Sequence, residues 1–232
     1  MKRCSVMEIV SRSSTLWGVA DMIPSKEEMT AAMTARHGAE LQERFSSATV
    51  AICGLGGLGS NIAISLSRAG VGRLILIDFD KVDITNLYRQ QYKAVQVGKD
   101  KTVALAENLK EIAPYIEIEA HTVRITEDNA SELLIDADIV CEAFDKPESK
   151  AMLTNFVLEK MPDKYLVAAS GMAGAGSAND IKTRRITKRF YLCGDGVSDV
   201  NESGSLLSSR VMLCAAHEAH TALRILAGQY EV

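Results

Sequence analysis

The feature that most narrows the fold is a run of glycines set directly behind an apolar strand. Residues 48–53, ATVAIC, lead at once into Gly54-Leu55-Gly56-Gly57-Leu58-Gly59-Ser60 and then into a helical pattern over about 60–69. A strand, a GxGxxG turn and a helix in that order open a βαβ unit whose helix start can receive a phosphate. Gly54 permits the tight turn, Gly56 and Gly57 leave backbone open to an anion, and Gly59 lets the helix pack close on the strand. At the end of the next strand stands Asp78, about where a carboxylate accepts hydrogen bonds from ribose hydroxyls. Nicotinamide dehydrogenases, flavoproteins and other nucleotide binders share this device, so the kind of nucleotide stays open at this point.

The alternation of short apolar strands with amphipathic helices continues down the chain. Strands are expected near 48–53, 73–78, 116–121, 138–143 and 165–170, with helices near 60–69, 99–112, 127–135 and 148–160. Continuous apolar strands suit a sheet covered on both faces. The predicted fold is therefore α/β, a Rossmann-like, mostly parallel sheet with helices on both faces. After Gly171 the alternating IKTRRITKRFYL predicts one or two further strands as an antiparallel extension, followed by a last helix near 206–227. Residues 1–45 are polar and broken, and Ser25-Lys26-Glu27-Glu28 reads as a cap with an acidic first turn. They form an N-terminal helical segment before a nucleotide-binding domain at 46–232, and 232 residues fit one domain overall.

A formal net charge of −4 gives no electrostatic reason to expect DNA as a partner. No run approaches the roughly 18 apolar residues of a membrane span. Cys4, Cys53, Cys141, Cys193 and Cys214 are odd in number and none forms a CxxC pair. That usage fits a reducing, cytoplasmic setting and predicts no zinc site.

Four further motifs follow the glycine loop in order: Gly70-Val71-Gly72, Asp78-Phe79-Asp80-Lys81-Val82, Asn86-Leu87-Tyr88-Arg89-Gln90 and Gly98-Lys99-Asp100-Lys101. The set resembles the nucleotide-binding core of the ThiF, MoeB and HesA family, bacterial relatives of ubiquitin-activating enzymes. Motif identity is continuous over 54–101, with looser similarity from about residue 30 to the C-terminus. The absence of CxxC pairs and the segment Tyr191-Leu192-Cys193-Gly194-Asp195-Gly196 resemble the shorter, zinc-free branch related to ThiF of thiamine biosynthesis.

The resemblance implies an ATP-dependent adenylyltransferase that acts on the C-terminal glycine carboxylate of a small ubiquitin-like sulfur-carrier protein, ThiS-like and ending in Gly-Gly. Arg89 and Lys101 match the family's phosphate-binding arginine and lysine, Asn86 its asparagine near the phosphates, and Asp78 its ribose-binding aspartate. Together with Gly54, Gly56, Gly57 and Gly59 they make the expected nucleotide site. The resemblance also implies Mg2+ accompanying ATP, with Asp145 as its carboxylate ligand. Asp145 could instead cap the helix beginning near Pro147, and Asp80 is either a second carboxylate of the site or a solvated turn residue. A homodimer is implied as well, and Arg36 in Thr34-Ala35-Arg36-His37-Gly38 resembles an arginine that reaches the partner subunit's ATP; the alternative is a surface arginine.

Other residues stay open. Cys193 is either a nucleophilic thiol or a structural one, while Cys53, Cys141 and Cys214 read as core. His217 and His220 share helical spacing but lack accompanying ligands. Lys182, Arg184, Arg185, Lys188 and Arg189 form a basic run that could dock an acidic carrier or be a solvated strand face. Alternative functions are activation of another carboxylate (a molybdopterin-synthase carrier, a tRNA threonylcarbamoyl group or a peptide), a nicotinamide-dependent oxidoreductase, or a nucleotide-sensing scaffold.

Overall fold

The computed structural model describes residues 23–232. Helix α1 (Lys26–His37) starts where the sequence places a cap: the Ser25 hydroxyl accepts from Glu28 N at 3.1 Å, and the Glu28 carboxylate accepts from Ser25 N at 2.8 Å. It buries none of its residues, whereas the next helix, α2 (Ala39–Ser47), buries Gln42 and Phe45.

The domain then runs β1 (Thr49–Cys53), α3 (Gly57–Ala69), β2 (Arg73–Ile77), α4 (Lys101–Ile112), β3 (Glu117–His121), α5 (Glu127–Leu134), β4 (Ile139–Glu142), α6 (Pro147–Lys160) and β5 (Tyr165–Ala169). After these come β6 (Lys182–Arg185), β7 (Phe190–Gly194), a single turn α7 (Val200–Ser203) and α8 (Ser208–Leu226). Each strand and helix expected over 46–232 is present, the largest difference being that α3 starts at Gly57, inside the glycine run; of the N-terminal helical segment expected over 1–45, residues 1–22, with Cys4, lie outside the described residues. Among the described residues no helix is long and apolar enough to cross a membrane.

The sheet order is β3-β2-β1-β4-β5-β7-β6. From β1 the chain builds outward to β3, then returns to lay β4 on the other side of β1, both pairings parallel. That reversal opens a crevice at the carboxyl ends of β1 and β4, the usual ligand position in an open α/β sheet. Side chains alternate between two apolar layers. Val50 and Ile52 face the layer filled by α3, α4 and α8, while Ala51 and Cys53 face the layer filled by α5 and α6.

The antiparallel expectation holds for β6, which pairs antiparallel with β7, but β7 itself lies parallel to β5. The chain passes to the edge first and returns inward. Composition explains the choice: FYLCG can be buried between two strands, whereas KTRR suits an open edge, where charge discourages pairing with other chains. The opposite edge is protected likewise, since β3 carries Glu117 and Glu119, and Arg73 of β2 pairs with both and with Asp136.

Candidate functional site

A cavity of about 450 Å³ opens at the carboxyl ends of β1, β2 and β4. Its floor is the glycine loop. Gly54 has φ +92°, and a Cβ there would meet Ala143 O at 2.8 Å, so the turn from β1 into α3, packed against the exit of β4, admits only glycine. A Cβ on Gly59 would sit 1.9 Å from Gly54 O; this is the close helix-on-strand contact expected of it, and Gly59 does not itself line the cavity. Gly56 caps α3 without any side-chain bond, leaving the first amides of a thirteen-residue helix free to bind an anion.

Asp78, just past β2, joins this floor to the wall. One carboxylate oxygen accepts from Leu55 N at 2.6 Å and the other from Asp80 N at 2.8 Å. Burial pushes its pKa up, opposed by the nearby Lys101 ammonium and by these two amides. Each oxygen keeps a lone pair for a further donor. Lys101 opens α4 and is itself buried, its Nζ 3.0 Å from Asp80 and 3.9 Å from Asp78. Asp80 is thus neither a free ligand nor an idle turn residue: it holds the lysine, and its carbonyl accepts from Lys101 N at 2.9 Å.

The segment carrying Asn86 and Arg89 is pinned to the start of α3. Asn61 donates to the Gly57 and Arg89 carbonyls and accepts from Gln91, and Ser60 Oγ accepts from Gln91 N at 3.1 Å. Asn86 accepts from Asp83 N at 3.0 Å, which closes a short turn. The Arg89 stem lies beside Gly57, and its guanidinium donates to Thr85 O and lies 4.8 Å from the Tyr88 ring centroid. Among the described residues it pairs with no carboxylate, so its charge is available to the cavity.

Asp145 stands across the mouth, exposed, in the turn after β4. It is not the helix cap, since Lys146 occupies that position with Pro147 following. Among the described residues no three His, Cys, Asp or Glu side chains come together to hold a metal ion. A magnesium ion fits here only by taking most of its ligands from phosphate oxygens and water, with Asp145 contributing one carboxylate.

The structure therefore gathers Gly54, Gly56, Gly57, Asp78, Asp80, Asn86, Arg89, Lys101 and Asp145 about one cavity. Arg36 is not among them. It is exposed on the last turn of α1, a helix that packs on α2 ahead of β1, away from the strands' carboxyl ends. Cys193 also lies elsewhere, fully buried among the core residues with its thiol against Thr183 and Thr221. Burial, with Glu218 nearby, pushes that thiol up to about 12, which suits a structural cysteine and not a nucleophile. His217 bonds Thr183. The basic run is largely consumed within the fold: Arg184 donates to the Gly194 and Asp195 carbonyls, Arg185 pairs with Glu231, and Arg189 packs on Tyr165.

Three lining residues, and one buried residue behind them, were given no role by the motif argument. Gln90 ends the NLYRQ motif and is buried against the loop, with its Oε1 lacking a partner among the described residues. Phe79 and Arg124 form the outer rim. Glu142, fully buried, accepts from Phe144 N and from Lys150 and so fixes the exit of β4 that carries Asp145. Gln90 and Phe79 had a signal in the sequence, their places in the ordered motifs, whereas Arg124 and Glu142 had none.

The chain is similar to several known proteins. The sulfur carrier protein adenylyltransferase of Thermus thermophilus is 39% identical over 109 residues, covering 47% of this chain and 40% of that protein. The adenylyltransferase and sulfurtransferase MOCS3 of Caenorhabditis briggsae is 35% identical over 141 residues, 60% of this chain and 34% of that one. The chain spans no more than about two fifths of the length of either. Among solved structures, Escherichia coli tRNA N6-threonylcarbamoyladenosine dehydratase, TcdA, in complex with AMP superposes with a TM-score of 0.79 over 90% of this chain and 98% of that one. At 20% identity that is a likeness of fold. The ThiF family model matches residues 29–232, and on that match the chain belongs to the ThiF family.

Proposed function

We propose that this protein is an adenylyltransferase that joins the AMP moiety of ATP to the C-terminal glycine carboxylate of a small ubiquitin-like sulfur carrier, ThiS-like and serving thiamine synthesis. The observation that carries the proposal is the polarity of the cavity. Open helix amides, Arg89 and Lys101 stand on the phosphate side, and Asp78 presents acceptor lone pairs where a ribose would lie. In the reaction a carboxylate oxygen attacks the α-phosphorus of ATP, the bond to the β-phosphate oxygen breaks, and pyrophosphate leaves with that electron pair. Two anions must approach, so positioned cations lower the barrier. Arg89 supplies a planar fork of donors for phosphate oxygens, and Lys101 supplies a point charge already held in place by Asp80. Bound magnesium would neutralise part of the triphosphate charge, held through Asp145.

The same proposal takes the protein as a cytoplasmic homodimer. Arg36 lies outside its own chain's cavity, so it can serve the phosphates only at a partner's site.

The deciding experiment is ATP–pyrophosphate exchange with magnesium, with and without a carrier ending in Gly-Gly. Carrier-dependent exchange is expected. NAD binding at micromolar affinity with no detectable ATP binding would overturn the proposal. Exchange supported by a peptide or by threonylcarbamoylated tRNA, but by no carrier, would reassign the substrate.

A further inference from the structure

A second cavity, of about 690 Å³, lies at the opposite end of the sheet from the glycine loop. Thr49, Arg73 and Glu117, the first residues of β1, β2 and β3, line it together with Gly70-Val71-Gly72, the one ordered motif that the nucleotide cavity does not use. Gly72 belongs to its packed floor, since a Cβ there would meet Ser46 O at 1.9 Å. Helix α1 forms the roof and is fastened at both ends. Pro24 O accepts from the Tyr115 hydroxyl at 2.9 Å, and His37 Nδ1 lies 3.2 Å from Gln42 Oε1. Between those ends Met33 reaches down to Gly70, its sulfur 2.9 Å from where a Cβ would stand, yet α1 buries none of its residues. The roof is therefore held in place above a space that the chain itself does not fill.

The lining has an apolar part and a charged part. Met29, Met33, Val71 and Ile116 supply the first, and methionine side chains adapt to irregular shapes. Lys26 and Arg68 supply the second; both are exposed and neither enters an ion pair among the described residues. The lining's single carboxylate, Glu117, is already paired with Arg73 at 3.2 Å. Ser67 lines the same space, and its buried hydroxyl has no hydrogen-bond partner among the described residues. A buried hydroxyl without a partner costs free energy that a polar group on a ligand would recover.

We propose that this cavity is a binding site for a small amphipathic anion, whose apolar body lies against the methionines and whose anionic group meets Lys26 and Arg68. The volume falls within the roughly 300–1,000 Å³ of small-molecule sites. The uncompensated charge is positive, which selects an anion, and the apolar share of the lining selects against inorganic phosphate. The site goes beyond the adenylylation reading and does not depend on it. Five-residue strands, spanning about 17 Å, separate the two cavities, so both can be filled at once.

Two dyes that share one body provide the test. 1-Anilinonaphthalene-8-sulfonate carries a sulfonate, and N-phenyl-1-naphthylamine has the same rings without it. Each is titrated calorimetrically into the full chain, with and without excess ATP and magnesium. The wild type should take one sulfonate dye per chain, bind it more tightly than the uncharged dye, and keep it when ATP is present. Lys26→Ala with Arg68→Ala should weaken the sulfonate dye about ten-fold and leave the uncharged dye unchanged, as loss of two exposed charge contacts does. Ala32→Trp puts an indole into the cavity from a helix that buries nothing, and should abolish binding of both dyes while circular dichroism and the thermal midpoint stay as in the wild type. No dye bound by the wild type, displacement by ATP, equal affinity for the two dyes, an unaltered double variant, or full binding in Ala32→Trp would each overturn the site.

Discussion

Replacing Glu218 by glutamine should stabilise the protein, and increasingly so as pH rises. Glu218 lies on α8, fully buried, with neither carboxyl oxygen hydrogen-bonded among the described residues. Its nearest cation is already committed: Lys150 donates to both Glu142 oxygens, at 3.1 and 3.0 Å, and to Ala169 O at 3.0 Å. Burial pushes the Glu218 pKa far up, Lys150 opposes this, and Glu142 adds to it. The balance favours the protonated acid because Lys150 makes no hydrogen bond to it. In the unfolded chain the same group ionises near 4.5. A carboxyl whose folded pKa is raised leaves stability intact below the unfolded pKa and costs stability progressively as pH climbs towards the folded one. The slope is about 1.4 kcal/mol per pH unit for one proton. Glu218→Gln removes that slope while keeping size and burial, and Glu142, present in both proteins, cancels in the comparison. Urea denaturation at pH 5, 6, 7 and 8, extrapolated to water, should show the variant's advantage widening as pH rises, by at most about 1.4 kcal/mol for each unit. Parallel curves for the two proteins would refute the argument. A variant that becomes less stable above pH 5 would mean that Glu218 is ionised and shares Lys150.

Three further outcomes are expected. Arg89→Ala and Lys101→Ala should each slow pyrophosphate exchange by about 10²- to 10³-fold, the usual loss when a positioned donor to transition-state charge is removed; unchanged rates would reject both roles. Arg36→Ala and Asp145→Ala should each be inactive alone, yet a mixture unfolded and reassembled should regain about a quarter of wild-type exchange, since about half the dimers are mixed and each has one intact site. A dead mixture whose mixed dimers are confirmed by mass would exclude action across subunits. Cys193→Ser should keep carrier adenylation, because the buried thiol stands outside the cavity; loss of exchange in a folded variant would make the thiol part of the reaction.

The parts of the fold that depend on near neighbours in the chain were legible from the sequence. The capping box at Ser25, the alternation of Val50 and Ile52 with Ala51 and Cys53, and the glycine turn all rest on contacts within a few residues or on strand period. The direction of β7 was not legible, because FYLCG is equally apolar in either orientation and its placement is decided by β5 and β6 together. At the site, Asp78, Asn86, Arg89 and Lys101 could be named because they fall in an ordered motif. Arg124 and Lys150 carry no local signal; each is an ordinary charged residue until a distant strand exit or a buried carboxylate gives it a partner. The double service of Asp80, holding Lys101 through both side chain and backbone, likewise appears only when α4 returns beside β2.

The inward return of β7 has a consequence for synthesis on the ribosome. Because the chain visits the outermost strand before the inner one, the apolar flank of β5 has no neighbour until Gly194 has been made, well after β5 itself ends at Ala169. At about 5–20 residues per second that interval lasts on the order of seconds, and the exit tunnel prolongs it. During it, the nascent protein presents an unpaired edge of sequence YLVAA, free of charge and of proline, to any strand nearby. A pause or stop codon between 170 and 194 would strand the chain in that condition, so a truncated product of this length should be found with chaperones or in aggregates.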